Sequence, residues 1–287
     1  MKKPALSPTL MRQLPRLITG VLLAAALVAC LVLGGAYLRV ALALAGALAL
    51  FEFFQMFWPG KTKVPSKIFG LLAGMLIFCP VGQPGAVSVL LVLVFAWAAI
   101  AFLVDFGRGN DNARLSAQAP LPLGIVYIPL LLHLALSLSL KEQFLVVAAA
   151  VASDTAAYYI GCAFGRHKIW PRVSPKKSWE GSIAGFIATV AITAAIACLP
   201  FGGGPLHGGN ILCWLVIGAI LNVAGQLGDF FESALKRTYG VKDSSTILPG
   251  HGGILDRIDS ILFCLAAYSA IMLALRHASG LGGLFAA

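Results

Sequence analysis

The sequence is poor in charge. Only 11% of its 287 residues are Asp, Glu, Lys or Arg, while 59% are hydrophobic. A soluble domain of this length needs more polar surface than that. The six cysteines are scattered through apolar context with no paired spacing. That pattern excludes a disulfide framework and a zinc site, and leaves small buried hydrophobes. No internal repeat and no separate soluble segment interrupt the chain. What fills it is one apolar run after another, with a mean hydropathy of +0.90. Each run is long enough to cross a hydrocarbon core roughly 30 Å thick, which takes about 20 helical residues. Short connectors favour helices over a barrel.

The expected fold is therefore all-α: a polytopic membrane helical bundle of about nine transmembrane helices. The spans fall near residues 17–34, 36–58, 68–83, 85–104, 121–140, 143–164, 182–200, 210–231 and 256–275. Residues 1–120 read as an N-terminal set of helices and 121–287 as a C-terminal catalytic region, within one membrane domain overall. The basic N-terminus and "LVAC", Leu27–Cys30, resemble a processed leader. Because the chain stays apolar to Trp58, a retained transmembrane helix is the expectation.

The net charge is +10. It is read as a mark of topology rather than of nucleic-acid binding. Arg166, Lys168, Arg172, Lys176 and Lys177 share one loop, Lys61, Lys63 and Lys67 another, and Arg108 and Arg114 a third. The connectors at 79–85 and 200–210 carry no charge. Basic loops favour the cytoplasmic side, so the charged loops, including Lys236 to Arg257, are expected there. Lys67 is expected to be dispensable, in a loop outside the motifs.

Seven of the 11 acidic residues lie between Asp154 and Asp259, with nine Lys or Arg among them. Acids at or inside membrane helices persist by pairing, lining water or binding an ion. In the first of three stretches, Asp154 sits well inside an apolar run. The basic loop follows, and "SPKKSWEG" opens the next helix, with Ser174-Pro175 as the expected start. Lys176, Lys177 and Ser178 then offer cations and a hydroxyl beside free helix N–H groups, which suits phosphate oxygens. The bland alternative is a basic loop that binds nothing. In the second stretch Asn222, Gln226, Asp229, Glu232 and Lys236 form one polar stripe on a helix. Such a stripe faces a wet cavity or forms a seam of interhelical hydrogen bonds. The third stretch is "LPGHGGILDRID". Its glycines allow close backbone approach, and Asp256 and Asp259 sit at a helix start, where one acid could serve as a cap. A cap does not account for two acids beside Lys242, Asp243, His251 and Arg257. Carboxylates with hydroxyls and no thiolate set suggest Mg²⁺, which binds through one or two carboxylates plus substrate phosphates. Adjacent cations suggest a polyphosphate, and phosphoryl or nucleotidyl transfer needs mainly positioning and charge neutralisation.

"SALKRTYGVKDSSTILPGHGGILDRID", Ser233–Asp259, resembles the signature of the phosphatidate cytidylyltransferases, the CDP-diacylglycerol synthases. "SDTAAYYIG", "SPKKSWEG" and "GQLGDFFES" look like that family's other motifs, and "FEFF" around Glu52 is a faint echo in the N-terminal half. The resemblance implies a Mg²⁺-dependent membrane enzyme, dimeric, that condenses CTP with phosphatidate among membrane lipids. Its products would be CDP-diacylglycerol and pyrophosphate. It implies a bacterial-type inner membrane and a site facing the cytoplasm. By motif, Asp229 and Asp256 would hold the metal ion or ions, with Asp154 and Asp259 completing the polar shell. Lys177, Lys236, Arg237, Lys242 and Arg257 would neutralise phosphates, beside Asp243. His251 would contact pyrophosphate or a carboxylate. Ser178, Gly252 and Gly253 would line the nucleotide. A CTP-dependent lipid kinase attacking the γ-phosphorus and an anion transporter remain the competing functions.

Overall fold

The computed structural model describes residues 8–79, 85–107, 114–199, 211–248 and 252–282. Its elements are helices throughout, because in hydrocarbon a backbone must satisfy its own hydrogen bonds. They are α1 (Pro8–Leu33), α2 (Gly35–Phe57), α3 (Val64–Leu76) and α4 (Ala86–Gly107), then the composite α5 (Pro120–Ser137). There follow α6 (Leu140–Phe164), α7 (Trp179–Ala197), α8 (Ile211–Thr238) and α9 (Leu255–Gly282). Among the described residues, seven helices are long and apolar enough to span, rather than the nine expected. The difference lies at the N-terminal end. Outside the seven, α1 is a 26-residue helix whose side chains are described from Thr19 to Leu33, and α3 has 13 residues, only about 20 Å of helix at 1.5 Å per residue. The chain is a multi-pass membrane bundle. On α4, Val92, Phe95 and Leu103 are more than 60% exposed, as a lipid-facing surface would be.

Lys67 is not in a loop. It lies within α3, only 5% exposed, and its ammonium donates to Gly60 O at 2.8 Å and to Gln55 Oε1 at 3.2 Å. The expected loop position is corrected accordingly: a buried cation with two acceptors holds the α2–α3 turn.

Two features place the functional end of the bundle. First, α6, α7, α8 and α9 pack at very short range through small residues, as membrane helices do when backbone approach replaces the hydrophobic effect. A Cβ at Gly181 would lie 2.6 Å from Ala157 O, and one at Gly185 2.9 Å from Ser153 O. Gly218 meets Val190 of α7 and Gly228 meets Asp259 of α9 in the same way. Second, α2 is inserted into the core: Leu50, Phe53 and Phe54 are fully buried with Leu121, Ile125 and Ile128 of α5. α5 can wrap this apolar wedge because it is irregular. Pro129 lacks an N–H, and the helix passes through a π turn at Val126–Leu130 and a 3₁₀ turn at Leu134–Ser137. A capping box then restarts the chain at α6, with Ser139 N–H donating to Glu142 Oε2 at 2.7 Å.

Candidate active site

α8 carries the polar stripe, and the structure divides it in two. In its upper part, Asn222 Nδ2 donates to Ser153 Oγ of α6 at 2.8 Å and to Thr189 Oγ1 of α7 at 3.2 Å. Gln226 Nε2 donates to Asn222 Oδ1 at 2.6 Å, and Ser182 of α7 donates to Gln226. This part is the interhelical seam. The lower part is charged. Asp229 Oδ2 lies 2.5 Å from Lys177 Nζ, and Asp229 Oδ1 accepts from Ser233 Oγ. Glu232, fully buried, pairs with Lys236 one turn on. Lys236 reaches across to Asp256 Oδ1 at 2.6 Å. These pairings let α8 continue to Thr238, seven residues beyond the expected end at 231.

The loop before α7 is folded onto itself. Trp179 N–H donates to His167 O at 2.9 Å and Ile169 N–H to Lys177 O. Glu180 accepts from the His167 ring at 2.6 Å and from the backbone N–H of Arg166 and His167. The helix therefore starts at Trp179 and not at Ser174-Pro175. Ser178 is its N-cap, accepting from Gly181 N–H at 3.2 Å. This closure points Lys177 along α8, where its ammonium also sits 4.2 Å over the Phe230 ring. Trp170 braces that ring edge-on.

The signature loop is organised by two carboxylates. Asp256, at the start of α9, accepts from Ser244 N–H at 3.0 Å, Ser244 Oγ at 3.0 Å and Gly253 N–H at 2.8 Å through Oδ2. The second is Glu52 of α2, only 1% exposed. It accepts from Ser244 Oγ, Ser245 Oγ, Ile254 N–H and Leu255 N–H at 2.6–3.1 Å. Gly252 has a φ of +79°, which a side chain rarely adopts. A Cβ at Gly253 would lie 2.5 Å from Glu52 Oε2 and closer still to Ser244 Oγ. The close approach that the glycines permit is thus to Glu52 and Asp256.

These stretches enclose one cavity of about 420 Å³, within the size range of small-molecule sites. Asp154, Asp229, Asp256 and Asp259 line it together with Lys176, Lys177, Ser178, Lys236, Asp243 and Arg257. Asp154 is also within 3.5 Å of Ser260 Oγ, and Asp259, 7% exposed, accepts from Ser260 N–H. Not every expected residue joins them. Arg237 is exposed and donates to Val241 O at 3.1 Å. Lys242 is exposed, and neither it nor Gly252 and Gly253 line the cavity. His251 lies outside the described residues. The residue given too little weight in the sequence is Glu52, whose contacts span 192 to 203 positions of chain. Its signals in the sequence are an acid inside an apolar run and the faint "FEFF" echo.

Among the described residues no group of three or more His, Cys, Asp or Glu is drawn tightly enough to hold a metal ion unaided. The charged donors of the lining are hard oxygens; Cys162 is its one cysteine, and no histidine lines it among the described residues. It fits Mg²⁺ held by one or two carboxylates and completed by substrate phosphates, and it does not fit an all-protein cage.

Comparison with known proteins agrees with this geometry. The chain is similar to proteins named phosphatidate cytidylyltransferase from Staphylococcus haemolyticus, 46% identical over 121 residues, or 42% of this chain and 45% of that one. The likeness to the Staphylococcus aureus (strain COL) protein of that name is 44% over 124 residues with the same coverage. The chain thus spans about half the length of the curated relatives it matches. The family model of the cytidylyltransferases extends further, across residues 14–275. It takes in α2 and Glu52 as well as the cavity, and on that match the chain belongs to the cytidylyltransferase family.

Proposed function

We propose that the protein is a CTP:phosphatidate cytidylyltransferase of a bacterial-type inner membrane. It would form CDP-diacylglycerol and pyrophosphate for phospholipid synthesis. The observation that carries the reading is the cavity itself. In a member of this family it gathers four aspartates and Lys176, Lys177, Lys236 and Arg257 at the ends of spanning helices. That is what a water-soluble polyphosphate and a lipid phosphate need in order to meet.

In this reading a phosphate oxygen of phosphatidate attacks the α-phosphorus of CTP. The bond from that phosphorus to the bridging oxygen breaks, and pyrophosphate leaves with the electron pair. The attacking group is already an anion, so no general base is needed. Lys177 and Lys236, each set beside a carboxylate, orient and neutralise the phosphates. Ser178 and the α7 N-terminus offer a hydroxyl and backbone donors at the cavity wall. Arg257 adds a guanidinium suited to phosphate geometry. Asp229 and Asp256 would hold Mg²⁺ with Asp154 and Asp259 around it. When bound, that ion supplies further charge neutralisation on the polyphosphate. Asp256 Oδ2 is turned to protein donors in the loop and Oδ1 to Lys236, so a shared role in neutralising phosphate and holding the ion would fall to Asp256 and Lys236 together.

The test is to supply purified protein with phosphatidate, Mg²⁺ and CTP labelled at either the α- or the γ-phosphate. Label from the α-phosphate should enter lipid as pyrophosphate is released in equal amount. Entry of γ-label would establish a lipid kinase instead. Anion movement with no labelled lipid would establish a transporter. The basic loops at 165–181 and 232–255 are proposed to face the cytoplasm. Cysteines placed there in a variant lacking native ones should react with an impermeant reagent only after the inner face is opened. Labelling of both in intact cells would reverse the orientation.

A further inference from the structure

Glu52 is buried, remote in sequence from the C-terminal motifs, and bonded to one of the two loops that supply the cavity wall. Its carboxylate meets four donors. Two of them are the backbone N–H groups of Ile254 and Leu255, at the start of α9. A helix begins with N–H groups that lack intrahelical partners and with the positive end of its dipole. Glu52 supplies to α9, from another helix, what an N-cap side chain normally supplies from within. The other two donors are the hydroxyls of Ser244 and Ser245 in the preceding loop. The single hydroxyl proton of Ser244 is shared between Glu52 Oε2 and Asp256 Oδ2, and Asp256 Oδ1 is bound by Lys236. A continuous chain of charge-assisted bonds therefore runs from α2 through the loop to the cavity wall. Phe57, one turn beyond Glu52 on α2, adds a ring contact to Tyr239 at 4.4 Å where α8 ends.

Two further observations show how tightly this arrangement is held. Ser244 Oγ and Glu52 Oε2 together leave no room for a Cβ at Gly253, so the loop requires glycine where these two groups meet. And α2 carries Glu52 between Leu50, Phe53 and Phe54, all fully buried, so the side chain cannot swing out to solvent.

We infer that Glu52 is a positioning residue for the cavity: it fixes the Ser244-Ser245 turn and the α9 N-terminus at Ile254 and Leu255, and through them the orientation of Asp256 and Arg257. Its effect on turnover rests on the transferase reading above. Its effect on the loop does not. Glu52 touches no cavity space and transfers nothing. Glutamine at this position keeps the shape but turns an NH₂ group onto the backbone N–H of Ile254 or Leu255, which can only donate.

The experiment pairs two readouts on the full-length protein in detergent or nanodiscs: backbone hydrogen exchange and α-label transfer from CTP. In Glu52→Gln, amides within Ser244–Leu255 should exchange roughly tenfold faster or more, while the amides of α6 and α7 keep wild-type protection. Transfer should fall by roughly 10²-fold, as expected when reacting groups are misplaced by about 1 Å. The loss should lie mainly in kcat, with the KM for phosphatidate within a few-fold of wild type. Combining Glu52→Gln with Ser244→Ala should cost little more than the worse single change, because both cut the same chain of bonds. Glu52→Asp, which retains the charge, should recover part of both losses. Unchanged exchange in the loop overturns the inference whatever the activity. So does faster exchange spread evenly over the chain, which would make Glu52 a general stability residue. If wild type itself transfers no label, the transferase reading fails, and the exchange pattern still decides the role of Glu52.

Discussion

The two parts of the α8 stripe differ in how their polar groups are used. Asn222 and Gln226 are held by side chains and a backbone carbonyl of α6 and α7, and Asn222 is 2% exposed. Two turns further on, Asp229 and Lys236 face a cavity and meet charges brought in by loops, Lys177 from one and Asp256 from the other. The same helical spacing thus serves two ends. Neutral amides bonded to each other and to α6 and α7 fix the register of the three helices. A carboxylate balanced by a lysine at a cavity wall keeps charge available to a ligand, at a cost in burial that only function accounts for.

Substitutions should separate the two parts. The largest effect is expected in the charged part. Asp229→Asn should lower α-label transfer by ~10²-fold or more, the usual scale for a lost electrostatic contact in a transition state, with thermal stability preserved. Lys177→Met should act in the same direction, by ~10-fold or more. Asp256→Asn should be mixed, because that carboxylate also ties the loop. We expect a comparable loss of transfer together with a lower thermal midpoint, from about 1–3 kcal/mol of unsatisfied donors. Asn222→Ala should do the reverse of Asp229→Asn. It removes a buried amide that bridges three helices, so stability should fall by about 1–3 kcal/mol, while transfer per folded molecule at a permissive temperature stays within about threefold of wild type. The smallest effect is expected far from α8. Lys67→Ala should cost about 1 kcal/mol of stability through Gly60 O and Gln55 and leave transfer per folded molecule unchanged. Thermal unfolding in detergent, read beside label transfer, checks each of these.

Much of the charged part could be read from the chain. Asp229, Glu232 and Lys236 fall on one helical face by spacing alone, and Asp256 and Asp259 announce a helix start beside glycines. Four such aspartates do meet in one cavity. The errors have local causes. Ser174-Pro175 carries a helix-start signal, but the hydrogen bonds that join His167 to Trp179 and Lys177 to Ile169 hold that segment as a closed loop and move the start to Trp179. α8 outlasts its apolar run because Glu232 and Lys236 neutralise each other within it. Near the N-terminus, apolar content alone does not set helix length: α3 stops at Leu76 after 13 residues. Glu52 could not be placed from the sequence, because its partners lie some 200 residues away and no local period marks such a contact.

The most direct test compares the two parts of α8 in one measurement. Transfer of α-label from CTP to phosphatidate is followed against Mg²⁺ concentration for wild type, Asp229→Asn and Asn222→Ala, each with its thermal midpoint. The account predicts that Asp229→Asn loses ~10²-fold or more at limiting Mg²⁺, regains part of that as Mg²⁺ is raised, and melts like wild type. Asn222→Ala should transfer label at close to the wild-type rate and melt earlier. Wild-type rates for Asp229→Asn at limiting Mg²⁺ would contradict it: the carboxylates of the lower part would then be interfacial charge and helix caps, and the cavity would not be the site of the chemistry.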